Sequence, residues 1–127
     1  YNNMDTKINS LLDRFNIFIV TNKDGYSVEK ILNFFNIKID IKNIYGNELK
    51  KTKSECLEQI IKVSNCNYMV FIDDQIENLL SININEVKRY LATWGYNNSV
   101  QIQKAVESDI SRIGINEFPK KIVNSYK

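Results

Sequence analysis

The sequence predicts an α/β protein built on a Rossmann-like parallel sheet. Two observations carry this. Apolar runs of strand length alternate with segments of helical periodicity, in the order strand, helix, strand, helix, strand, helix, strand. One of those runs, Tyr68, Met69, Val70, Phe71 and Ile72, is unbroken. It therefore reads as a strand covered on both faces, at the centre of a parallel sheet.

Each element has its own signal. Met4, Ile8, Leu11, Leu12 and Phe15 follow the three-four spacing of one helical face, predicting a first helix over 4–15. Ile17, Phe18, Ile19 and Val20 form a β-favouring run that stops at Thr21, Asn22, Lys23, Asp24 and Gly25. Ser27 is positioned to cap a helix with Val28, Ile31, Leu32 and Phe35 on one face, and Asn36 should end it. Residues 37–45 alternate in polarity and predict a short strand near 41–45, closed by Gly46. After a basic loop at Lys50, Lys51, Thr52 and Lys53, a helix over about 54–63 buries Cys56, Leu57, Ile60 and Ile61. The Asn65-Cys66-Asn67 turn leads into the strand at Tyr68, and a brief helix follows at Glu77 to Leu80. Val87 to Thr93 supplies another strand. Beyond it, one helix is expected near 100–108 and another, capped by Asn116, with Pro119 in its first turn.

Composition narrows the chemistry. The 127 residues suffice for one domain with a buried core. Seventeen basic and fifteen acidic residues are mixed along the chain, so the net charge of +2 forms no basic stripe of the kind nucleic acid requires. Histidine is absent, which removes Ser-His-Asp and Cys-His catalysis and most zinc sites. Cys56 and Cys66 lack a second pair and read as reduced thiols. No apolar run approaches the roughly 20 residues a membrane span needs, and no secretion signal opens the chain. A soluble, cytoplasmic protein is the expectation. Only four glycines occur, none in the spacing of a phosphate-binding loop.

The segment FIDDQIENL places Asp73 and Asp74 where a buried strand meets a loop. Ligands in parallel sheets gather at the carboxyl ends of strands. Adjacent carboxylates there repel unless a cation or hydrogen-bond donors sit between them, which fits an oxygen-ligated Mg²⁺. A solvated turn with a helix cap fits the dipeptide equally.

Three segments resemble, in order and spacing, the second, third and fourth motifs of the haloacid dehalogenase-like hydrolase superfamily. They are the strand ending in IVTNKDG, the loop and helix KKTKSECLEQII, and the strand ending in FIDDQIENL, followed by LATWGY. The resemblance covers roughly residues 10–96. It implies a Mg²⁺-dependent phosphatase acting on a small phosphomonoester, a phosphorylated metabolite, through an aspartyl-phosphate. Thr21 matches the hydroxyl that would bind a phosphoryl oxygen, together with the backbone N–H of Asn22. Lys53 matches the lysine that would neutralise the transferring group, with Lys51 a close competitor. Asp74 matches the metal-binding aspartate, Asp73 a group that orients the site, and Asn78 a position where many relatives carry a further acid.

The superfamily's first motif, a strand followed by DxDx[TV], has no counterpart among these residues. Asp5, Asp13, Asp24 and Asp40 all lie in the wrong context. The chain as given should therefore be inactive. It reads either as a fragment, as its start at Tyr1 suggests, or as a pseudoenzyme serving as a binding or regulatory module; no cap domain is visible. A receiver-like module is a further alternative, although there the paired acids should precede the lysine. A docking role for Trp94-Gly95-Tyr96 is the remaining one. A sheet lacking its first strand has an open central slot, so self-association is expected.

Overall fold

The computed structural model describes residues 3–95 and 97–126. Tyr1, where the chain starts, and Tyr96, part of the aromatic segment, lie outside the described residues. The chain forms two compact units, one extending to Cys56 and the other beginning at Leu57. Both are mixed α/β, and every strand pairing is parallel.

The first unit holds helix α1 (Met4–Leu12), strand β1 (Ile19–Val20), helix α2 (Gly25–Phe34) and strand β2 (Ile44–Tyr45), with single 3₁₀ turns at Ile41–Asn43 and Asn47–Leu49. β1 and β2 run parallel, with Ile19 opposite Ile44 and Val20 opposite Tyr45. Ile37, Ile39 and Ile44 are buried, and Ile8, Leu12, Ile17, Ile19, Val28, Leu32 and Ile41 pack against them.

Several expectations need correction here. α1 stops at Leu12 rather than Phe15, and β1 begins at Ile19 rather than Ile17. Ser27 does not cap α2. Asp24 does, its carboxylate accepting from the Ser27 backbone N–H at 2.8 Å and from the Ser27 hydroxyl at 2.7 Å. The alternating stretch before β2 is mostly not strand, because Asp40 caps the 3₁₀ turn through the N–H of Lys42 at 3.1 Å. That local bond competes with a ladder partner and leaves only Ile44 and Tyr45 paired.

Helix α3 (Lys53–Ser64) crosses the division between the units. The second unit continues with β3 (Met69–Asp73), α4 (Ile76–Leu80), β4 (Val87–Ala92), α5 (Ser99–Glu107), β5 (Ser111–Ile113) and α6 (Lys120–Ser125). The ladder order is β3-β4-β5, with Phe71 opposite Arg89 and Leu91 opposite Arg112. β3 is thus at an end of this sheet among the described residues, and β4 is its centre, contrary to the reading of the apolar run. Phe71 alone of β3 is buried, whereas Tyr90, Leu91 and Ala92 are buried in succession on β4. The outer edge of β3 is partly protected. The Val70 N–H donates to the Tyr126 hydroxyl at 3.2 Å, and that ring meets Tyr68 edge-on at 4.8 Å.

Arg89, on the central strand, ties helix ends to the sheet. Its guanidinium donates to the carbonyls of Leu79 at 3.0 Å, Ile82 at 3.2 Å and Ser108 at 3.4 Å, at the carboxyl ends of α4 and α5 where a cation is favoured. β5 has no strong sequence signal, being only Ser111, Arg112 and Ile113. Asn116 does not cap α6; residues 115–119 form a turn and the helix starts at Lys120 after Pro119. Left-handed residues follow α2, α3 and α5 at Asn36 (φ 58°), Asn65 (φ 53°) and Asp109 (φ 58°), residue types that tolerate that conformation at helix ends. Among the described residues no helix is long and apolar enough to cross a membrane. Cys56 and Cys66 form no disulfide.

Candidate functional site

Polar groups collect at the carboxyl end of each ladder. In the first unit Thr21 directly follows β1. Its N–H donates to the Tyr45 carbonyl at 3.0 Å, and its Oγ1 accepts from the Lys23 N–H at 3.1 Å. The hydroxyl keeps its proton free for a further acceptor beyond that turn. Asn22 is exposed beside it. The loops after β1 and β2 are lashed together: the Asn47 N–H donates to the Lys23 carbonyl at 2.9 Å, and the Gly25 N–H to Glu48 Oε2 at 3.0 Å. Glycine is needed at Gly46, where a Cβ would overlap both the Glu48 carboxylate and the Gly25 nitrogen. The Asp24 carboxyl, holding Ser27, stays below the usual carboxylate range because of those two hydrogen bonds.

Lys53 is the first residue of α3 and is half-buried, whereas Lys51 lies before the helix and is exposed. Between them Thr52 closes a capping box: its Oγ1 accepts from the Glu55 N–H at 3.1 Å and its N–H donates to Glu55 Oε1 at 2.9 Å. The box lowers the Glu55 pKa through its hydrogen bonds to Thr52. Burial pushes the Cys56 thiol up, opposed by the charges of Lys51 and Lys53. A thiol of that kind is a packed core group and a poor nucleophile.

At the carboxyl end of β3, in the second unit, the two acids divide. Asp73 Oδ1 accepts from the Gln75 N–H at 2.9 Å, and Oδ2 accepts from Asn78 Nδ2 at 3.1 Å. An amide at Asn78 can donate to this carboxylate; a second acid in its place would repel it. Asp74 is half-buried and its carbonyl accepts from Asn97 Nδ2 at 3.3 Å. The same amide donates to the Ala92 carbonyl at 2.7 Å, so Asn97 joins the ends of β3 and β4. Gly95 closes on Asp74 so tightly that a Cβ there would overlap the Asp74 side chain. Trp94 packs against Phe118 at 5.9 Å between ring centres, which makes it a packing group.

Gly95, Asn97 and the Thr52–Glu55 box are missing from the sequence-based site. Threonine three residues before glutamate was the readable signal for the box. A glycine soon after a strand signals close approach, but not what approaches. Thr21, Asn22 and Lys53 belong to the first unit, Asp73 and Asp74 to the second.

The chemistry on offer is hydroxyl, backbone N–H, lysine and carboxylate. Among the described residues no group of three or more His, Cys, Asp or Glu side chains could hold a metal ion. Mg²⁺ takes one or two carboxylates and completes its shell with water and phosphate oxygens. Of the two acids at the end of β3, Asp73 carries the Gln75 and Asn78 bonds.

Fold and site together define a mixed α/β protein with parallel ladders whose polar groups stand at the strands' carboxyl ends. Comparison with family models, with curated proteins and with solved structures gave no match.

Proposed function

We propose that this chain is the carboxyl-terminal part of a three-layer, Rossmann-like core of a haloacid dehalogenase-like phosphatase, acting on a small phosphomonoester. The observation that carries the reading is the pairing pattern. β1 and β3, the strands that precede Thr21 and Asp73-Asp74, each have a single ladder partner among the described residues. In the resemblance a further strand, bearing the first motif, occupies a central slot of the sheet. The free edge of β1, within the first unit, is compatible with a sheet that lacks it. That open edge underlies the expected self-association.

Thr21 and the Asn22 N–H would bind phosphoryl oxygens, and Lys53 would neutralise charge developing on the transferring group. Lys53 is favoured over Lys51 because the capping box holds it on the first turn of α3. Asp74 would hold Mg²⁺, which when bound supplies charge neutralisation at the phosphoryl group. Asp73 would act by holding the Asn78 and Gln75 loop in place. The nucleophilic aspartate is not among these 127 residues. A phosphate-binding module without catalysis is the second reading, favoured by that missing DxD element.

The test is hydrolysis of p-nitrophenyl phosphate with Mg²⁺ by the complete gene product that contains this chain. Asp74→Asn and Lys53→Ala should each lower kcat about 100-fold, the size typical of losing one electrostatic stabiliser. Unchanged activity in both variants removes the site assignment. No activity in the parent, with phosphate still bound, selects the second reading.

A further inference from the structure

We propose that the cleft at the carboxyl ends of β4 and β5 is a binding site for a small organic carboxylate, anchored by Arg112. The cleft lies wholly in the second unit, is a half-open depression of about 290 Å³, and is lined by Thr93, Arg112, Gly114, Glu117 and Lys121. Its position, just outside the carboxyl ends of neighbouring parallel strands, is where such sheets expose backbone and polar groups to a ligand. None of its residues takes part in the phosphatase reading, so it stands or falls separately.

The two cations of the cleft are in different states. Lys121 is engaged: its ammonium donates to the Arg112 carbonyl at 2.8 Å, pairs with Glu117 Oε2 at 3.4 Å and sits 5.8 Å from the centre of the Tyr90 ring. Glu117 is engaged as well, its Oε1 accepting from the Gly114 N–H at 2.8 Å. The Arg112 side chain is exposed, and among the described residues its charge acts on the Glu117 carboxylate without a direct hydrogen bond or ion pair to it. It stands on β5 opposite Leu91, a residue fully buried on the central strand, so its backbone is held by the most deeply packed part of the sheet. A planar fork of N–H donors on a rigid strand is suited to gripping two oxygens of one anion. Thr93 stands at the same rim, and its hydroxyl makes only a long 3.3 Å bond to the Ile113 carbonyl. A ligand oxygen at normal hydrogen-bond distance would outcompete that bond.

Charge and size select the ligand class. Arg112 and Lys121 against Glu117 leave one net positive charge at the cleft. That balance matches a monocarboxylate, and Glu117 disfavours the second charge of a phosphate dianion. The volume lies at the lower end of ligand pockets, which suits an acid of a few carbons.

The experiment is a titration of the ¹⁵N-labelled chain followed by amide shifts, with sodium acetate, inorganic phosphate and sodium chloride at matched ionic strength. Acetate should give saturable shifts at Thr93, Arg112 and Gly114. Arg112→Gln should weaken it at least tenfold, and Lys120→Gln, an exposed cation that does not line the cleft, should leave it unchanged. Acetate shifts no larger than those of chloride, equal binding by Arg112→Gln, or tighter binding of phosphate than of acetate would each overturn the proposal.

Discussion

Two parallel ladders end in polar loops in this chain, and they differ in what stands beneath them. β1 and β2 contribute two residues each, and their loops are held by side chains bonded to backbone: Asp24 to Ser27, Glu48 to Gly25, Thr52 to Glu55. β3, β4 and β5 contribute five, six and three residues. All of the most fully buried large side chains, Ile60, Ile76, Leu79, Ile82, Leu91 and Ile113, belong to this second unit. One rim is shaped mainly by polar staples, the other mainly by apolar burial. The first should respond most to changes in caps and pH, the second to changes in volume.

The largest expected effect breaks the apolar side of that contrast. Leu91, with no exposed surface at the centre of the β3-β4-β5 ladder, should lose about 3 kcal/mol on truncation to alanine, with a cavity left behind. Ile44→Ala, at 5% exposure on a two-residue strand, should cost less. Urea unfolding of both variants decides the matter, and equal losses would erase the distinction between the units.

A smaller effect compares two glycines. Gly95→Ala places a methyl group onto the Asp74 side chain and should cost about 1–3 kcal/mol as the loop moves away. At Gly25 the added Cβ overlaps the end of the Glu48 side chain at 2.7 Å and otherwise makes ordinary contacts with Ile41 and Ile44 at 3.6 Å, and alanine favours the first turn of α2. That variant should change stability by less than about 1 kcal/mol. Thermal melts of the pair measure the difference, and a neutral Gly95→Ala would show that Asp74 is not pinned.

The smallest effect is acid sensitivity. Hydrogen bonds from Ser27 hold Asp24 low, those from Thr52 hold Glu55 low, and those from Gly114 and Lys121 hold Glu117 low. A carboxyl with a depressed folded pKa adds stability that is fully present above its unfolded value, roughly 4, and disappears as pH falls through the folded value. Two of these groups cap helices of the first unit and one belongs to the second. Lowering pH from about 5 to about 3 should therefore lower amide protection, relative to the intrinsic exchange rate at each pH, at the start of α2 and α3 before it does so in β4. Asp24→Asn should flatten that response at α2. Protection that is lost first in β4 would reverse the comparison.

Part of each unit was legible because its signals are local. The Tyr68–Ile72 run marks β3, and Asn36 and Asn65 mark the ends of α2 and α3. The acids of FIDDQIENL do stand at the end of a strand. The misreadings share one cause, a choice between near neighbours that only a partner settles. Asp24 and Ser27 are both good caps, and the chain uses the acid with serine as donor. β5 is three residues with one buried side chain, and it is a strand because β4 offers it a ladder. The apolar run of β3 says that it is covered, yet position in a ladder depends on its partners, and β4 has two.

Composition, spacing and residue type were enough to specify an alternating α/β chain, the ends of α2 and α3 at Asn36 and Asn65, and the polar groups that follow its strands, since each depends on backbone preference within a few residues. Tertiary structure alone decided which strand is central, and that Gly95 and Asn97 close on Asp74. It also decided that Asp73 holds Gln75 and Asn78, and that Arg112 stands exposed beside a cleft. Those outcomes depend on which atoms folding brings together, and hydrogen bonds and excluded volume act at distances that sequence spacing does not encode.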